Sequence, residues 1–265
     1  MELSNRLQTV AAAVTPGSRI ADVGTDHGYI PVYLVSTGIC PGAIAMDVNK
    51  GPLSRAVAHI CAEGLSGRIE TRQSDGLAAL SPEETDTVVI AGMGGALICR
   101  ILRDAPQFFA AGKELILQPQ SEWFKVRHFL HDAGYRIRQE WFLKEEGKYY
   151  VVIKASPAPA GTLEAYPDEL SYRYGALLLQ ERHPVLQEYL LQELKKKRQI
   201  VAHMAVLDPV TPDAAEENLR SSDPERLTEN PSVVTDDAAE EKRKKRRKEL
   251  EEEIREIEEY MQKNT

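Results

Sequence analysis

Residues 19–36 have the sequence RIADVGTDHGYIPVYLVS, which predicts a short buried strand, a glycine turn and a helix. The strand covers 19–24, and the helix covers 29–36 and ends near Gly38. Glycine has no side chain, so a turn that contains Gly24 and Gly28 lets a ligand approach the backbone closely. This stretch therefore predicts a binding turn at the carboxyl end of the first strand of an α/β sheet.

The same alternation of strand and helix continues along the chain. Near-continuous apolar strands separated by helices are typical of a mostly parallel sheet that is covered on both faces. The runs 136–143 and 148–155 flank a turn and predict an antiparallel hairpin at the sheet edge. Five parallel strands and a terminal hairpin form the Rossmann-like fold of class I methyltransferases, an analogy at the level of fold. Further strands are predicted at 43–47, 69–73, 87–91 and 114–119, and further helices at 3–14, 52–63, 96–103 and 122–132.

A change in composition at 156–161, a segment rich in Pro and Ala, predicts a hinge between two domains. The amino-terminal domain, 1–155, is the predicted catalytic domain, and 162–265 is predicted to be helical. Within the helical domain, 207–237 holds four prolines and no apolar period, which favours a flexible acidic loop. The long helices on either side of this loop are predicted to pack as an antiparallel, coiled-coil-like hairpin.

Charge and composition narrow the class of protein. The net charge is −8, but residues 205–241 alone hold eleven acidic residues against two arginines, so the rest is nearly neutral and a nucleic-acid partner is not excluded. No apolar run is long enough for a membrane span. The three cysteines, Cys40, Cys61 and Cys99, lack metal-ligand spacing, so we expect no metal site and a cytoplasmic location. The oligomeric state is left open.

Two acidic residues indicate the cofactor. Asp47 ends the second strand 19 residues after Gly28, where a carboxylate is expected to bind a ribose, and Val48 follows it. Both NAD and S-adenosylmethionine carry a ribose, so Asp47 does not separate them. A carboxylate at Asp26 about 4 Å from a phosphate would cost on the order of 4 kcal/mol, whereas S-adenosylmethionine presents an ammonium and a sulfonium there. The sequence therefore favours S-adenosylmethionine.

Two further turns follow strands at the same predicted edge. Asp75 and Gly76 follow the third strand. They are predicted either to accept a hydrogen bond from the adenine amino group or to form an ordinary polar strand end. Gly92 and Met93 follow the fourth strand. They are predicted either to form a shallow backbone wall against which a flat base lies or to form a tight turn. The predicted cofactor site is Asp22, Gly24, Thr25, Asp26, Gly28, Asp47, Val48, Asp75, Gly76, Gly92 and Met93.

Four motifs together resemble the bacterial TrmK family: ADVGTDHGYIP at 21–31, AGMGG at 91–95, LILQP at 115–119 and EEGKYY at 145–150. The segment LSNRL at 3–7 fits too, and the likeness extends more loosely into the helical domain. The resemblance implies a tRNA (adenine-N1)-methyltransferase that uses S-adenosylmethionine and modifies an adenine in the D-loop region. The chain lacks the Asn/Asp-Pro-Pro-Tyr/Phe motif of many amino-directed methyltransferases, which suits a ring nitrogen as the acceptor.

Adenine N1 has an in-plane lone pair, so methyl transfer chiefly requires alignment and stabilisation of the cationic product. Asp26, His27 and Tyr29 are the candidate catalytic residues. Cofactor binding is the alternative for Asp26, and hydrogen bonding to the loop backbone is the alternative for His27.

Basic residues of the helical domain are the candidates for binding tRNA phosphates. The alternative is a solvated helix face that the glutamates of 249–259 neutralise. Arg6 is predicted to contact either RNA or the edge of the sheet. The candidates are Arg6, Lys195, Lys196, Lys197, Arg198, Lys242, Arg243, Lys245 and Arg246.

Three other functions remain open at this stage. The first is a methyltransferase of another RNA or of a small molecule. The second is a nicotinamide-dependent oxidoreductase, against which Asp26 argues. The third is a non-catalytic RNA-binding module that has kept the fold.

Overall fold

A computed structural model describes residues 2–206 and 237–263. Its core is a seven-stranded, mostly parallel sheet with helices, which confirms the predicted Rossmann-like α/β class. The predicted acidic loop 207–237 lies, except for Asp237, outside the described residues. Among the helices that the structure describes, none has the length and apolar character that crossing a bilayer requires.

The strand order is β3-β2-β1-β4-β5-β7-β6, where β1 to β5 are parallel and β7 is antiparallel to both β5 and β6. The strands are β1 Ile20–Val23, β2 Ala43–Asp47, β3 Ile69–Gln73, β4 Thr87–Met93, β5 Glu114–Pro119, β6 Tyr135–Glu145 and β7 Lys148–Pro157. The described helices are α1 Asn5–Ala13, α2 Tyr29–Ser36, α3 Lys50–Ala62, α4 Gly95–Arg103, α5 Pro106–Ala110, α6 Trp123–Asp132, α7 Glu169–Tyr174, α8 Ala176–Gln180, α9 Pro184–Val206 and α10 Asp237–Lys263.

Strand β1 is the centre of the sheet. All four of its residues are buried, and it pairs with β2 on one side and β4 on the other. The chain order reverses between β1 and β4, and open α/β sheets bind ligands at the carboxyl ends of the strands at such a point. The topology therefore places the binding crevice where the sequence predicted the glycine turn.

Helix α5 was not predicted from the sequence. It has only five residues and begins at a proline, so it is too short to show a helical period. The predicted hairpin is present, and both of its strands are longer than the sequence indicated.

The described residues group into two compact units, one that ends at Gln187 and one that begins at Glu188. The predicted hinge at 156–161 therefore lies within the first unit, which also contains α7 and α8. These helices join the sheet because Arg127 of α6 donates hydrogen bonds to the carbonyls of Tyr172 and Arg173, each at 3.0 Å. The separate folding of 1–155 and 162–265 stays a prediction.

A fully buried ion pair connects α6 to the hairpin in this unit. Arg127 Nε lies 2.8 Å from Glu140 Oε1, and neither side chain is exposed. Gly175 packs against the pair with a φ of +95°, and a Cβ there would lie 2.6 Å from Glu140 Oε2. A glycine is therefore required at this junction of α7 and α8.

Replacing Glu140 by Gln should lower the free energy of unfolding by about 3–5 kcal/mol, because it leaves the Arg127 guanidinium buried without its counter-charge. Urea unfolding measures this loss. Glu70→Gln is the matched control, since Glu70 is exposed and its partner Arg72 keeps a second carboxylate, Glu84, at 2.8 Å. The control should lose less than about 1 kcal/mol, and equal losses in the two variants would contradict the prediction.

Candidate active site

A cavity of about 320 Å³ opens at the carboxyl ends of β1 and β4, where the strand order reverses. The structure thus brings together six of the residues predicted from sequence, including Arg6 of the distant helix α1. The cavity is lined by Arg6, Leu7, Asp22, Gly24, Asp26, Tyr29, Ile30, Ala91, Gly92 and Gln120.

The glycine turn after β1 has the geometry that the sequence predicted. The backbone N–H groups of Gly24 and Thr25 both donate to the Met46 carbonyl of β2 at 2.8 Å. Gly24 has a φ of +78°, and a Cβ there would lie 2.1 Å from Met93 Cε. The turn therefore needs a glycine for both its backbone conformation and its contact with Met93.

Asp22 is the buried carboxylate of the cavity. Its exposed fraction is only 5%, and it forms no ion pair within the part of the chain that the structure describes. The pKa of Asp22 is raised to about 6, mainly by burial; the Thr25 hydroxyl lowers it, and the nearby Asp47 carboxylate adds a smaller rise. A buried carboxylate of this kind favours a positively charged ligand group, which would restore its ionised form.

Asp26 lies at the rim of the same cavity and has a different environment from the one expected. Its side chain is 63% exposed, and its Oδ1 lies 2.8 Å from Arg55 Nη2. Helix α3 supplies this arginine, which no spacing in the sequence indicated. The electrostatic argument for a cationic cofactor therefore applies more strongly to Asp22 than to Asp26.

Aromatic rings form the outer rim beside Asp26. His27 stacks on Tyr29 with ring centroids 5.3 Å apart, and Tyr29 meets His59 edge-on at 5.4 Å. The Nδ1 atom of His59 lies 2.7 Å from the His27 carbonyl, and His27 Nε2 lies 3.7 Å from Asp26 Oδ1; both alternatives for the His27 ring stay predictions. Tyr29 keeps 40% of its surface exposed, which leaves part of its ring available to a base.

The remaining predicted cofactor residues are more dispersed. Asp47 ends β2, where its Oδ1 accepts a hydrogen bond from the Asn49 N–H at 2.7 Å, and Val48 is exposed beside it. Asp75 and Gly76 line a separate hollow of about 150 Å³ between the loop after β3 and helix α4. The structure therefore does not bring them into the cavity, and their role toward adenine stays a prediction.

Gln118 was overlooked in the sequence as a functional residue. It is fully buried at the end of β5, and its Oε1 accepts hydrogen bonds from Arg6 Nη1 at 2.8 Å and from the Gly92 N–H at 3.1 Å. A polar residue in the otherwise apolar run LILQP was the signal that could have identified it. Of the two assignments for Arg6, the structure supports contact with the sheet edge.

The basic residues of the unit that begins at Glu188 divide into two groups, according to whether they pair with a described acidic residue. Lys197 pairs with Glu253 at 2.7 Å, and Arg198 pairs with Glu258 at 2.6 Å. These contacts fit the neutralised helix face that was the alternative to RNA binding, as does the pair between Arg246 and Glu249. Lys195, Lys196, Lys242 and Lys245 are exposed and form no ion pair with any described residue. The coiled-coil packing and the RNA-binding role, including that of Arg243, stay predictions.

Comparison with known proteins identifies the family. A methyltransferase domain model matches residues 3–153. The Bacillus subtilis protein named tRNA (adenine(22)-N(1))-methyltransferase is 37% identical over 204 residues, which are 76% of this chain and 84% of that protein.

Solved structures agree with this assignment. A Streptococcus pneumoniae protein in complex with S-adenosyl-L-methionine is 35% identical with a TM-score of 0.71, over 78% of this chain and 94% of that one. The M. capricolum TrmK in complex with S-adenosyl-homocysteine is 25% identical with a TM-score of 0.74, over 99% of each chain. The match to methyltransferases sets aside the nicotinamide-dependent oxidoreductase. By its sequence and its fold, the chain belongs to the bacterial TrmK family of tRNA (adenine-N1)-methyltransferases.

Proposed function

We propose that this chain transfers a methyl group from S-adenosylmethionine to N1 of an adenine in tRNA, and that the cavity beside Asp22 holds the cofactor. The B. subtilis relative carries this activity in its name, with adenine 22 as the target. The observation in this chain that carries the proposal is the carboxylate of Asp22, which is buried next to a glycine turn and has no ion-pair partner among the described residues.

The residues around the cavity fit a cofactor of this chemistry. Gly24 and Gly92 both line the cavity, and neither projects a side chain into it. Asp22 would face a positive charge of the cofactor, and Asp47 stands at the end of the neighbouring strand, where a ribose is expected. A diphosphate would instead meet the Asp22 carboxylate, which is unfavourable.

When bound, the cofactor supplies a methyl group on a sulfonium, which a nucleophile can take directly. The chain's own residues have to align adenine N1, whose lone pair needs no general base. Tyr29 at the rim offers a ring on which an unstacked adenine would lie. The Asp26 carboxylate, held by Arg55, would stabilise the positive charge that develops on the ring as the N1–C bond forms.

With S-adenosylmethionine labelled in the methyl group and total unmodified tRNA, the purified full chain should produce 1-methyladenosine. Nucleoside analysis of the digested RNA measures the product. Unmodified ribosomal RNA and a small-molecule mixture serve as comparison substrates. Labelling of either of these in place of tRNA would support the alternative substrates and contradict the proposal.

Cofactor affinity should depend on pH through Asp22. Because only the ionised carboxylate attracts a cation and the free-protein pKa is about 6, S-adenosylmethionine should bind about tenfold more tightly at pH 7 than at pH 5. Calorimetric titration measures this slope. Asp22→Asn should bind weakly at both pH values with no slope, and a slope that persists in the variant would assign the titration to another group.

The burial of Asp22 also affects the stability of the unliganded protein. This effect has the opposite dependence on pH from that of cofactor binding. The pKa of Asp22 is higher in the folded chain than its ordinary value of 3.8, so its contribution to stability is present below that value and is lost as pH rises through about 6. Asp22→Asn removes this loss. We therefore expect the variant to gain stability relative to the wild type between pH 4 and pH 7 in urea unfolding, and a constant difference would contradict this.

Tyr29→Ala should lower kcat/KM for tRNA by about 10- to 100-fold, because the target base loses its stacking surface. Tyr29→Phe keeps the ring and should retain most of the activity. Steady-state kinetics with tRNA as the varied substrate measure both variants. If the Phe variant loses as much as the Ala variant, the phenol hydroxyl and not the ring is responsible.

A further inference from the structure

We propose that Phe124 and Tyr149 form a stacking surface beside the catalytic cavity, and that an unpaired nucleotide of tRNA next to the target adenine lies on it. This inference rests on the proposed function and adds a second point of contact with the substrate, outside the cavity. It derives from the exposure of Phe124, from the loop that holds this residue and from the length of the β6–β7 hairpin.

Phe124 is an exposed aromatic residue in the first turn of α6. Its exposed fraction is 43%, slightly more than the 40% of Tyr29 at the rim of the cavity. Trp123, the residue before it, instead turns toward the sheet and donates its indole N–H to the Pro119 carbonyl at 3.1 Å. An apolar ring that faces water in the free protein is stabilised when a flat base covers it.

A tight loop fixes the position of Phe124. Glu122 has a φ of +54°, which a residue with a side chain rarely adopts. Its carboxylate accepts the Ala96 N–H at 3.1 Å, and the Ser121 carbonyl accepts the Gly95 N–H at 3.0 Å, so the start of α6 is attached to the start of α4. Backbone strain of this kind is concentrated at binding sites. A ring that is already held in place loses little conformational entropy when a ligand binds.

The same loop borders the catalytic cavity. Gln120 lines that cavity, and its backbone N–H donates to the Met93 carbonyl at the end of β4 at 2.9 Å. Phe124 is four residues farther along the chain, in the helix that begins where this loop ends. The exposed ring of Phe124 therefore continues the surface of the cavity on the side of β5, and Tyr29 stands on the side of β1.

The β6–β7 hairpin extends past the sheet at this edge. Strand β7 pairs with β5 as far as Ile153, which lies opposite Leu117, and five further pairs of β6 and β7 follow beyond that point. At about 3.4 Å per residue these pairs cover about 17 Å, whereas β5 itself continues for only two residues. Because β7 is antiparallel to β5, the extra length lies beyond the carboxyl end of β5, next to the loop that holds Phe124.

One face of this projecting segment carries aromatic rings and a lysine. Tyr149 stacks on Phe142 with ring centroids 5.8 Å apart, and Phe142 meets Trp123 edge-on at 5.5 Å. These contacts connect the ring of Tyr149 to the first turn of α6. Lys144 Nζ lies 5.3 Å from the centre of the Tyr149 ring. Glu145 belongs to the opposite face, where its carboxylate accepts a backbone N–H of helix α1 at 3.4 Å.

The chemistry of the surface favours single-stranded RNA as its partner. Rings beside lysines are typical of such sites, because every base has a flat face and every nucleotide brings a phosphate. Lys144 and Lys148 are exposed on the hairpin, as is Glu146 in the turn between them. A protein partner fits less well, since stable protein interfaces bury about 800 Å² on each side. From α4 and α6, this surface has two large exposed apolar side chains, those of Leu97 and Phe124.

The test compares Phe124→Ala, Phe124→Leu and Phe124→Trp in the full chain. Because stacking of one base on an aromatic ring contributes about 10- to 100-fold in affinity, the Ala variant should raise KM for tRNA by that factor and change kcat much less. The Leu variant keeps an apolar side chain but has no ring, so it should lose as much, whereas the Trp variant should keep the wild-type KM. Steady-state kinetics with unmodified tRNA as the varied substrate measure all three.

Two measurements that need no turnover accompany the kinetics. Filter binding of unmodified tRNA in the presence of S-adenosyl-homocysteine should show the same rise in Kd for the Ala and Leu variants. Calorimetric titration with S-adenosylmethionine should give the wild-type affinity in all three variants, which separates a lost RNA contact from a damaged cofactor site. Tyr149→Leu should likewise weaken tRNA binding, and Tyr149→Phe, which keeps the ring, should not.

An unchanged Kd and KM for tRNA in Phe124→Ala would overturn the proposal. Wild-type behaviour of Phe124→Leu beside a loss in Phe124→Ala would overturn it as well, because an apolar contact without a ring would then explain the effect. An unchanged Kd in Tyr149→Leu would remove Tyr149 from the surface. Failure of the wild type to methylate tRNA at all is a different result, which would contradict the proposed function itself.

Discussion

The structure of the site depends on the burial of one carboxylate, Asp22, at the end of the central strand. Strands β2 and β4 flank β1, the turn that follows is hydrogen-bonded to the Met46 carbonyl, and the carboxylate is almost completely buried. Burial is the main cause of its raised pKa and makes the ionised form unfavourable. The fold therefore contains a carboxylate whose ionised form is unfavourable in the unliganded protein and becomes favourable when a cation binds beside it.

Segments that are far apart in the chain meet at the wall opposite this carboxylate. Gln118 on β5 connects Arg6 on α1 with Gly92 near the end of β4, and Tyr150 of the hairpin lies against the same arginine. Three of the four motifs that carry the family resemblance, together with the segment LSNRL, therefore contribute to one network. These contacts connect α1, β4, β5 and the hairpin beside the cavity.

The helical unit follows a different physical pattern. Its basic residues alternate with glutamates at helical spacing, so that Lys197 and Arg198 are satisfied across to α10 and Arg247 is satisfied within its own helix by Glu251. Exposed pairs of this kind add little stability. Part of the positive charge in these short basic segments is therefore offset by neighbouring glutamates.

The sequence by itself determined the fold class, the position of the binding turn and the family. Strand and helix periods are local properties of a sequence. A glycine directly after a predicted strand, such as Gly24, can likewise be recognised from the sequence alone. Its positive φ and its contact with Met93 are the structural reasons for that glycine. It also marked Asp22, Asp47 and Gly92, because strand ends of a parallel sheet share one edge.

Only the tertiary structure decided which charges remain unpaired. Asp26 and Asp22 are four residues apart, yet Arg55 of α3 pairs with the first, while the second is buried and forms no ion pair with any residue of 2–206 or 237–263. Gln118 and Arg6 likewise gain their roles from a contact across 112 positions. Electrostatic partners and burial depend on packing between distant segments, and no local pattern of residues encodes those distances.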